Sequence, residues 1–569
     1  MEAAMSPLYA KKALLGSPAV DLEAALQDAM GVKAQAVVSN RLTRREMDSL
    51  TAIGDTLLPS IDVTATTDQD ESVRCFYQTS ASMLGTHEAS GEYLAKLRHA
   101  MQGLLRLTLW MLSTWIGTFF VCGAMNVSSR FPYVHKFSDL DPERRERIVL
   151  WWANNPCYLY RELFRGVKSV VALTYFTQVN EKQENPTWKA LGYCGPDPEH
   201  IKKQLESADD EGSCSERLGP LHRAVVYMQD PKDTLYSTLS QAGLSLITTR
   251  PPPRHKCPYI AKTPQNKPIT TIQCDAVIVG SGSGGGVVAG VLAQAGYKVI
   301  VLEKGNYNAR SNLTLLEGHT VKSMYECNGL LATDDTGVMI LAGSTVGGGS
   351  AINWSASIRT PDHVISEWRN QHELELFGSD AYEAALRTVC DRMGVQSEFN
   401  EENLNNSVLR RGCTELGYPV KNIPRNSTAD HYCGWCCFGC RDGRKKGTLE
   451  TWLVDMAESG NGVILPGCQA IKVLHEDRGR KRNVATGVVF EYDNHWSGEK
   501  ETCIIESKVT VAACGALNTP VLLKRSGLRN ANIGKNLHLH PVVMAGDTSP
   551  QQLPRRQKLA RRLATKGAS

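Results

Sequence analysis

The chain has 569 residues, 42% apolar and 21% charged. That is an ordinary composition for a folded protein, and the length exceeds one ordinary core, so about two to four domains are expected. The formal charge is +4, but six basic and no acidic residues sit between Pro554 and Ser569, so the body is near neutral and a nucleic-acid surface is not expected.

The N-terminus, Met1-Glu-Ala-Ala-Met-Ser6, carries an acid and no apolar core segment, which argues against a secretory leader. With 17 cysteines in so long a chain, reduced thiols in an intracellular setting fit better than a disulfide scaffold.

Residues 1–100 alternate helical patterns with polar loops. Thr43-Arg-Arg-Glu46 predicts a capped helix start and Asp55-Thr-Leu-Leu-Pro59 its end. Residues 101–250 read as a second helical region. Within it, residues 107–129 hold 23 residues without a charge, bracketed by Arg106 and Arg130. That length suits a single-pass transmembrane helix or an in-plane membrane helix, and Trp110 and Trp115 suit an interface. The hydroxyl residues Thr108, Ser113, Thr114 and Thr118, two glycines and the stripe Leu105, Leu109, Leu112, Ile116, Phe119 suit a buried helix hairpin as well. Asp141-Pro142 predicts a helix N-terminus, and the aromatics that follow, Trp151 to Phe176, read as helix packing. Residues 251–270, rich in proline and lysine, read as a linker.

The densest signal follows. An apolar strand through Val277 runs into Gly280-Ser281-Gly282-Ser283-Gly284-Gly285-Gly286; a helix and a second strand come next, ending on Glu303. That order predicts a dinucleotide-binding βαβ unit. Gly280 permits a tight turn, Gly282 lets backbone approach a pyrophosphate, and Gly285 lets the helix lie on the strand. The helix N-terminus offers unpaired N–H groups to phosphate. Glu303 stands where an acid accepts hydrogen bonds from a ribose diol. A second cluster, Gly347-Gly348-Gly349-Ser350 with Asn353, brings bare backbone near a ligand. The expected fold is α/β: a Rossmann-like βαβ domain with an interleaved substrate domain and a helical N-terminal region. Its cofactor domain is expected in two parts, residues 271–360 and 501–546, around a substrate or cap region over 361–500.

Cys433-Gly-Trp-Cys436-Cys437-Phe-Gly-Cys440 holds two abutting CxxC pairs. Four thiolates could hold zinc or an iron–sulfur centre. Without a loop between the pairs, structural thiols beside the substrate are the preferred reading, and no metal is assigned. Arg441 to Lys446 reads as a solvated turn and Thr448 to Ala457 as one helix. A strand from Val509, a turn at Gly515, a helix to Ser526-Gly527 and the run Gly534-Lys-Asn536-Leu-His538-Leu-His540-Pro541 close the readable chain.

The two glycine clusters, the Gly515–Gly527 segment and that last run, in this order, resemble the glucose–methanol–choline oxidoreductase family. With the long N-terminal region, the uncharged stretch and the cysteine cluster, the sequence resembles plant long-chain fatty alcohol oxidases. The resemblance implies FAD held at its ADP end by Gly280, Gly282, Gly285 and Glu303, with Gly347, Gly348 and Asn353 near the flavin. It implies oxidation of long-chain alcohols to aldehydes with O2 as acceptor, and the uncharged stretch sets the expected location at a membrane. The alternatives are a same-family dehydrogenase using another acceptor and a non-catalytic flavin-binding remnant. The family's base, a histidine, lies well after the run ending at Pro541. Here the resemblance stops after Gly546, so the ending reads as truncated, residues 547–569 as a basic disordered tail, and no catalytic residue is assigned; His540 takes a structural position in the family.

Overall fold

The structure, a computed structural model, describes residues 42–62, 70–96, 101–129, 131–196, 218–249, 269–335, 337–431, 434–476, 483–540 and 542. Residues 251–268, Cys433 and the basic tail lie outside them. The chain divides into two compact units. One draws on Met1–Tyr193, Cys327–Leu341 and Asn494–Glu499, the other on the remainder.

The first unit is helical. Helix α1 (Arg44–Leu57) begins as its sequence predicts: the Thr43 side chain accepts from Glu46 N, and the Glu46 carboxylate accepts from Thr43 N at 2.6 Å. Helices α2 (Glu71–Gln78) and α3 (Thr86–Lys96) follow. Leu50 and Ile53 of α1 pack in one core with Leu105, Leu109 and Leu112 of α4 (Met101–Leu112). That core also takes Ile148 and Trp152 of α6 (Pro142–Ala153) and Val167 and Val171 of α7 (Tyr158–Thr177). Asp141 caps α6, accepting from Arg144 N at 2.9 Å, with proline in the first turn.

The expectation of one membrane-spanning helix over 107–129 is corrected. Among the described residues no helix is long and apolar enough to cross a membrane. After α4 the chain breaks, and α5 (Trp115–Cys122) starts anew. The break is encoded by Thr114, whose extended backbone (φ −125°, ψ 148°) and side-chain oxygen, accepting from Gly117 N at 3.0 Å, make it an N-cap. Gly117 permits the close return: a Cβ there would lie 2.2 Å from Met111 O. The break also splits the predicted stripe. Leu105, Leu109 and Leu112 are buried, whereas Ile116 and Phe119, rotated with the new helix, are exposed.

The second unit is built on a seven-stranded sheet. Strand β2 (Ile269–Val279) lies at its centre. Its first half pairs antiparallel with β1 (Ser245–Thr249) and its second half parallel with β3 (Val299–Leu302). On the other side β7 (Glu499–Ala512) runs parallel to it, from Thr271↔Ile504 to Val279↔Ala512. Beyond β3 lies β4 (Gly462–Leu465), also parallel, and beyond β7 come β6 (Val484–Asn494) and β5 (Cys468–Glu476), antiparallel to each other. The parallel strands read as unbroken apolar runs because both faces are covered. Val277, Ile300, Val463 and Ile505 face one core; Ile278, Val301 and Ile464 face another with Leu453 and Met456.

Candidate functional site

Backbone continuity fixes the mouth of the site. Strands β2, β3 and β7 end side by side. β2 turns at Gly280 into a helix over Ser283–Gln294, and β7 turns at Gly515 into one over Gly515–Arg525. Crevices at the carboxyl ends of parallel strands, lined by helix N-termini, are where α/β folds take nucleotides.

Gly280 has φ +102°, and a Cβ there would lie 2.3 Å from Ala513 O; at Gly285 it would lie 1.8 Å from Gly280 O. Both positions exclude a side chain for reasons internal to the strand–helix junction. Gly284 differs, since a Cβ there meets nothing within 4 Å, and the same holds at Gly349 and Gly515. These bare backbones face open space, as a cradle for an extended cofactor requires. Ser283 and Gly284 are exposed, Gly282 is half-buried, and Gly286 packs on Thr448, 2.8 Å from where a Cβ would be. Val277 is fully buried in the sheet core, where its side chain supports the strand.

Ser281 joins the two glycine clusters. Its hydroxyl donates to Glu303 at 2.6 Å and its N–H donates to the same oxygen at 3.1 Å. The same hydroxyl accepts from Gly347 N at 2.9 Å. The other Glu303 oxygen accepts from Gly305 N at 3.0 Å. A carboxylate has about four acceptor positions, so capacity for a ribose hydroxyl remains. Burial pushes the Glu303 carboxyl above its ordinary value, against the pull of the Ser281 and Gly305 hydrogen bonds.

Two residues of the site escape sequence reading. Thr448 donates from its hydroxyl to Ser281 O at 3.1 Å, and its N–H donates to Ser350 Oγ at 3.0 Å. The Ser350 hydroxyl in turn donates to Gly347 O at 2.7 Å. That engagement is why the single helix expected over Thr448–Ala457 is instead a 3-10 turn (Thr448–Glu450) and a helix (Trp452–Ser459) broken at Thr451. The sequence signal was Gly447, where a Cβ would lie 2.7 Å from Ser350 O. Lys445 is the second. Its run was expected to be a solvated turn, yet its side chain is buried. The ammonium donates to the carbonyls of Ala351 at 2.9 Å, Asn353 at 2.7 Å and Cys436 at 2.8 Å. It thereby ties the second glycine loop to the cysteine segment. Asn353 itself is exposed, its Oδ1 accepting from Ser355 N at 3.2 Å.

In the cysteine segment, Cys436 meets His431 Nε2 at 3.4 Å, and Cys440 donates to Asp442 at 3.0 Å. Burial pushes the Cys440 thiol up to about 12, so it stays protonated at neutral pH. Among the described residues no group of three or more histidine, cysteine or acidic side chains is arranged to hold a metal. His538 and His540 are exposed.

Residues 321–542 match the GMC oxidoreductase family. Over 509 residues the chain is 50% identical to the long-chain-alcohol oxidase FAO4A of Arabidopsis thaliana, covering 89% of this chain and 68% of that protein. It is 39% identical over 530 residues to the long-chain-alcohol oxidase FAO3 of the same plant, covering 90% of this chain and 67% of the relative. The chain thus spans about two thirds of the length of these relatives. At this identity and coverage, the chain belongs to the GMC oxidoreductase family, whose members are typically FAD-dependent.

Proposed function

We propose that this chain binds FAD and serves the oxidation of long-chain fatty alcohols to aldehydes, with O2 reduced to hydrogen peroxide. The single observation that carries the cofactor part is the occurrence, on one strand–helix turn, of an open backbone at Gly284 and of Ser281, which holds the buried acid Glu303. The substrate and acceptor rest on the two plant relatives.

FAD, when bound, supplies a flavin that accepts hydride from the alcohol carbon. The chain's own residues bind and orient. Amides of Gly282 to Gly285 at the helix N-terminus receive the diphosphate, that of Gly286 being taken by Gly282 O at 2.8 Å. Glu303 accepts from a ribose hydroxyl. Gly347 and Gly348 present bare backbone towards the flavin end. Lys445 holds the loop through Asn353 in place by its three carbonyl contacts. The reading sets this work at a membrane, where long-chain alcohols partition.

Reconstituting the full chain with FAD and supplying a long-chain alcohol tests it. Aldehyde with stoichiometric peroxide supports the oxidase. Aldehyde without peroxide, in the presence of an artificial acceptor, points to a dehydrogenase. Flavin retention without any turnover leaves a flavin-binding protein.

A further inference from the structure

The helical unit presents an apolar surface at the α4–α5 break. Trp110, Trp115, Ile116 and Phe120, which is 70% exposed, line a groove of ≈ 780 Å³ together with Pro132 and Val134. Phe131, 86% exposed, and Tyr133 continue it, packed edge to face at 6.1 Å. Large exposed apolar surfaces of this kind mark interaction sites.

The surface is rigid from beneath. Asn126 Nδ2 donates to Trp115 O at 3.1 Å and to His135 O at 3.0 Å, latching α5 to the segment that carries Phe131 and Tyr133. Ser128 N donates to Tyr133 O at 2.7 Å. Phe137 N donates to Thr118 Oγ at 3.1 Å, while that hydroxyl donates back to Leu112 O at 3.0 Å. The buried polar groups thus hold the backbone so that indoles and phenyl rings point outward.

We infer that this surface docks in the plane of a phospholipid membrane, as an aromatic wedge that enters one leaflet without crossing it. Three observations select a lipid surface over other occupants. The uncharged run is long enough for immersion but is broken at Thr114 into two short helices. The exposed side chains of the surface include Trp110, Trp115, Ile116, Phe120, Phe131 and Tyr133, a set suited to the boundary between headgroups and acyl chains. The groove's lining carries a net positive charge: Lys136 is paired with the one acid of the lining, Asp139, at 3.5 Å, which leaves Arg45 as the uncompensated cation. The inference deepens the membrane part of the proposed function. It does not depend on flavin binding or turnover, so flavin-free protein tests it separately.

The experiment is co-sedimentation of the full chain with vesicles of phosphatidylcholine, with and without phosphatidylserine. Wild type is expected to pellet with both and more strongly with the anionic lipid. Trp115→Ser/Phe120→Ser, two exposed positions, lowers the partition coefficient by about tenfold with an unchanged melting temperature. If that variant misfolds, Ile116→Ser/Phe131→Ser replaces it with the same expected loss. Three results overturn the inference. Folded wild type remains in the supernatant; or a folded variant binds as wild type does; or the variant only changes the oligomeric state, which makes the surface a contact between copies. Removing residues 554–569 leaves most binding intact, and complete loss on that removal also contradicts the wedge.

Discussion

The Ser281 hydroxyl stands between the two glycine clusters, donating to the Glu303 carboxylate at 2.6 Å while accepting from Gly347 N. One side chain therefore couples the acid at the end of β3 to the loop at the opposite end of the site. Ser281→Ala removes both hydroxyl bonds, keeps the backbone N–H bond to Glu303, and leaves the buried Gly347 N–H without its acceptor. The expected loss is about 1–3 kcal/mol in stability, read by thermal unfolding, together with weaker FAD retention. An unchanged melting temperature would show that the two clusters are held apart from Ser281.

Gly284 and Gly285 are adjacent, yet their substitutions separate folding from binding. Gly285→Ala drives a methyl into Gly280 O, 1.8 Å away, and should cost about 3 kcal/mol or more in soluble yield and melting. Gly284→Ala meets no atom of the protein and lies in a helix, where alanine is favoured over glycine by about 0.5–1 kcal/mol. It should melt as wild type or slightly higher, but bind FAD at least about tenfold more weakly, because the methyl enters the space the diphosphate needs. Equal loss of stability at both positions would contradict this division.

Lys445→Met removes one ammonium from three carbonyls, those of Ala351 and Cys436 in buried contacts and that of Asn353 in a part-buried one. The expected cost is about 3 kcal/mol. Limited proteolysis within residues 434–446 should accelerate before global unfolding, since the tether between that segment and the Ala351–Asn353 loop is gone. Unaltered cleavage would assign Lys445 no such role.

The pH dependence follows from Glu303. Burial raises its folded-state value above that of an unfolded glutamate, about 4.3, so the fold favours the neutral acid. Stability from this group is complete below that value and is lost as pH rises through the higher folded-state value. Flavin-free wild type should therefore lose stability from acidic towards neutral pH, and Glu303→Gln should lack this decline. A parallel pH profile for the two proteins would contradict it.

The strand–glycine–helix–strand–acid order was legible in the sequence because each step has its own local signal: apolar runs, special backbone positions and a fixed offset to Glu303. The caps at Thr43 and Asp141 were legible for the same reason. What stayed hidden depended on distant partners. Lys445 sits among Arg444 and Lys446 and looks solvated; carbonyls brought in from elsewhere, those of Ala351, Asn353 and Cys436, help make its burial tolerable. Thr448 breaks a helix because Ser281 and Ser350 claim its hydrogen bonds. The uncharged stretch misled because hydropathy ignores capping. Thr114 and Gly117 end one helix and begin another, halving the length available to span a bilayer.

The most direct test is titration of FAD into flavin-free, folded full-length chain, followed by quenching of flavin fluorescence, with wild type and Gly284→Ala side by side. Wild type is expected to bind a single equivalent saturably, and Gly284→Ala about tenfold more weakly at an unchanged melting temperature. Folded wild type that binds no FAD, or binds it no better than Gly284→Ala does, would contradict it.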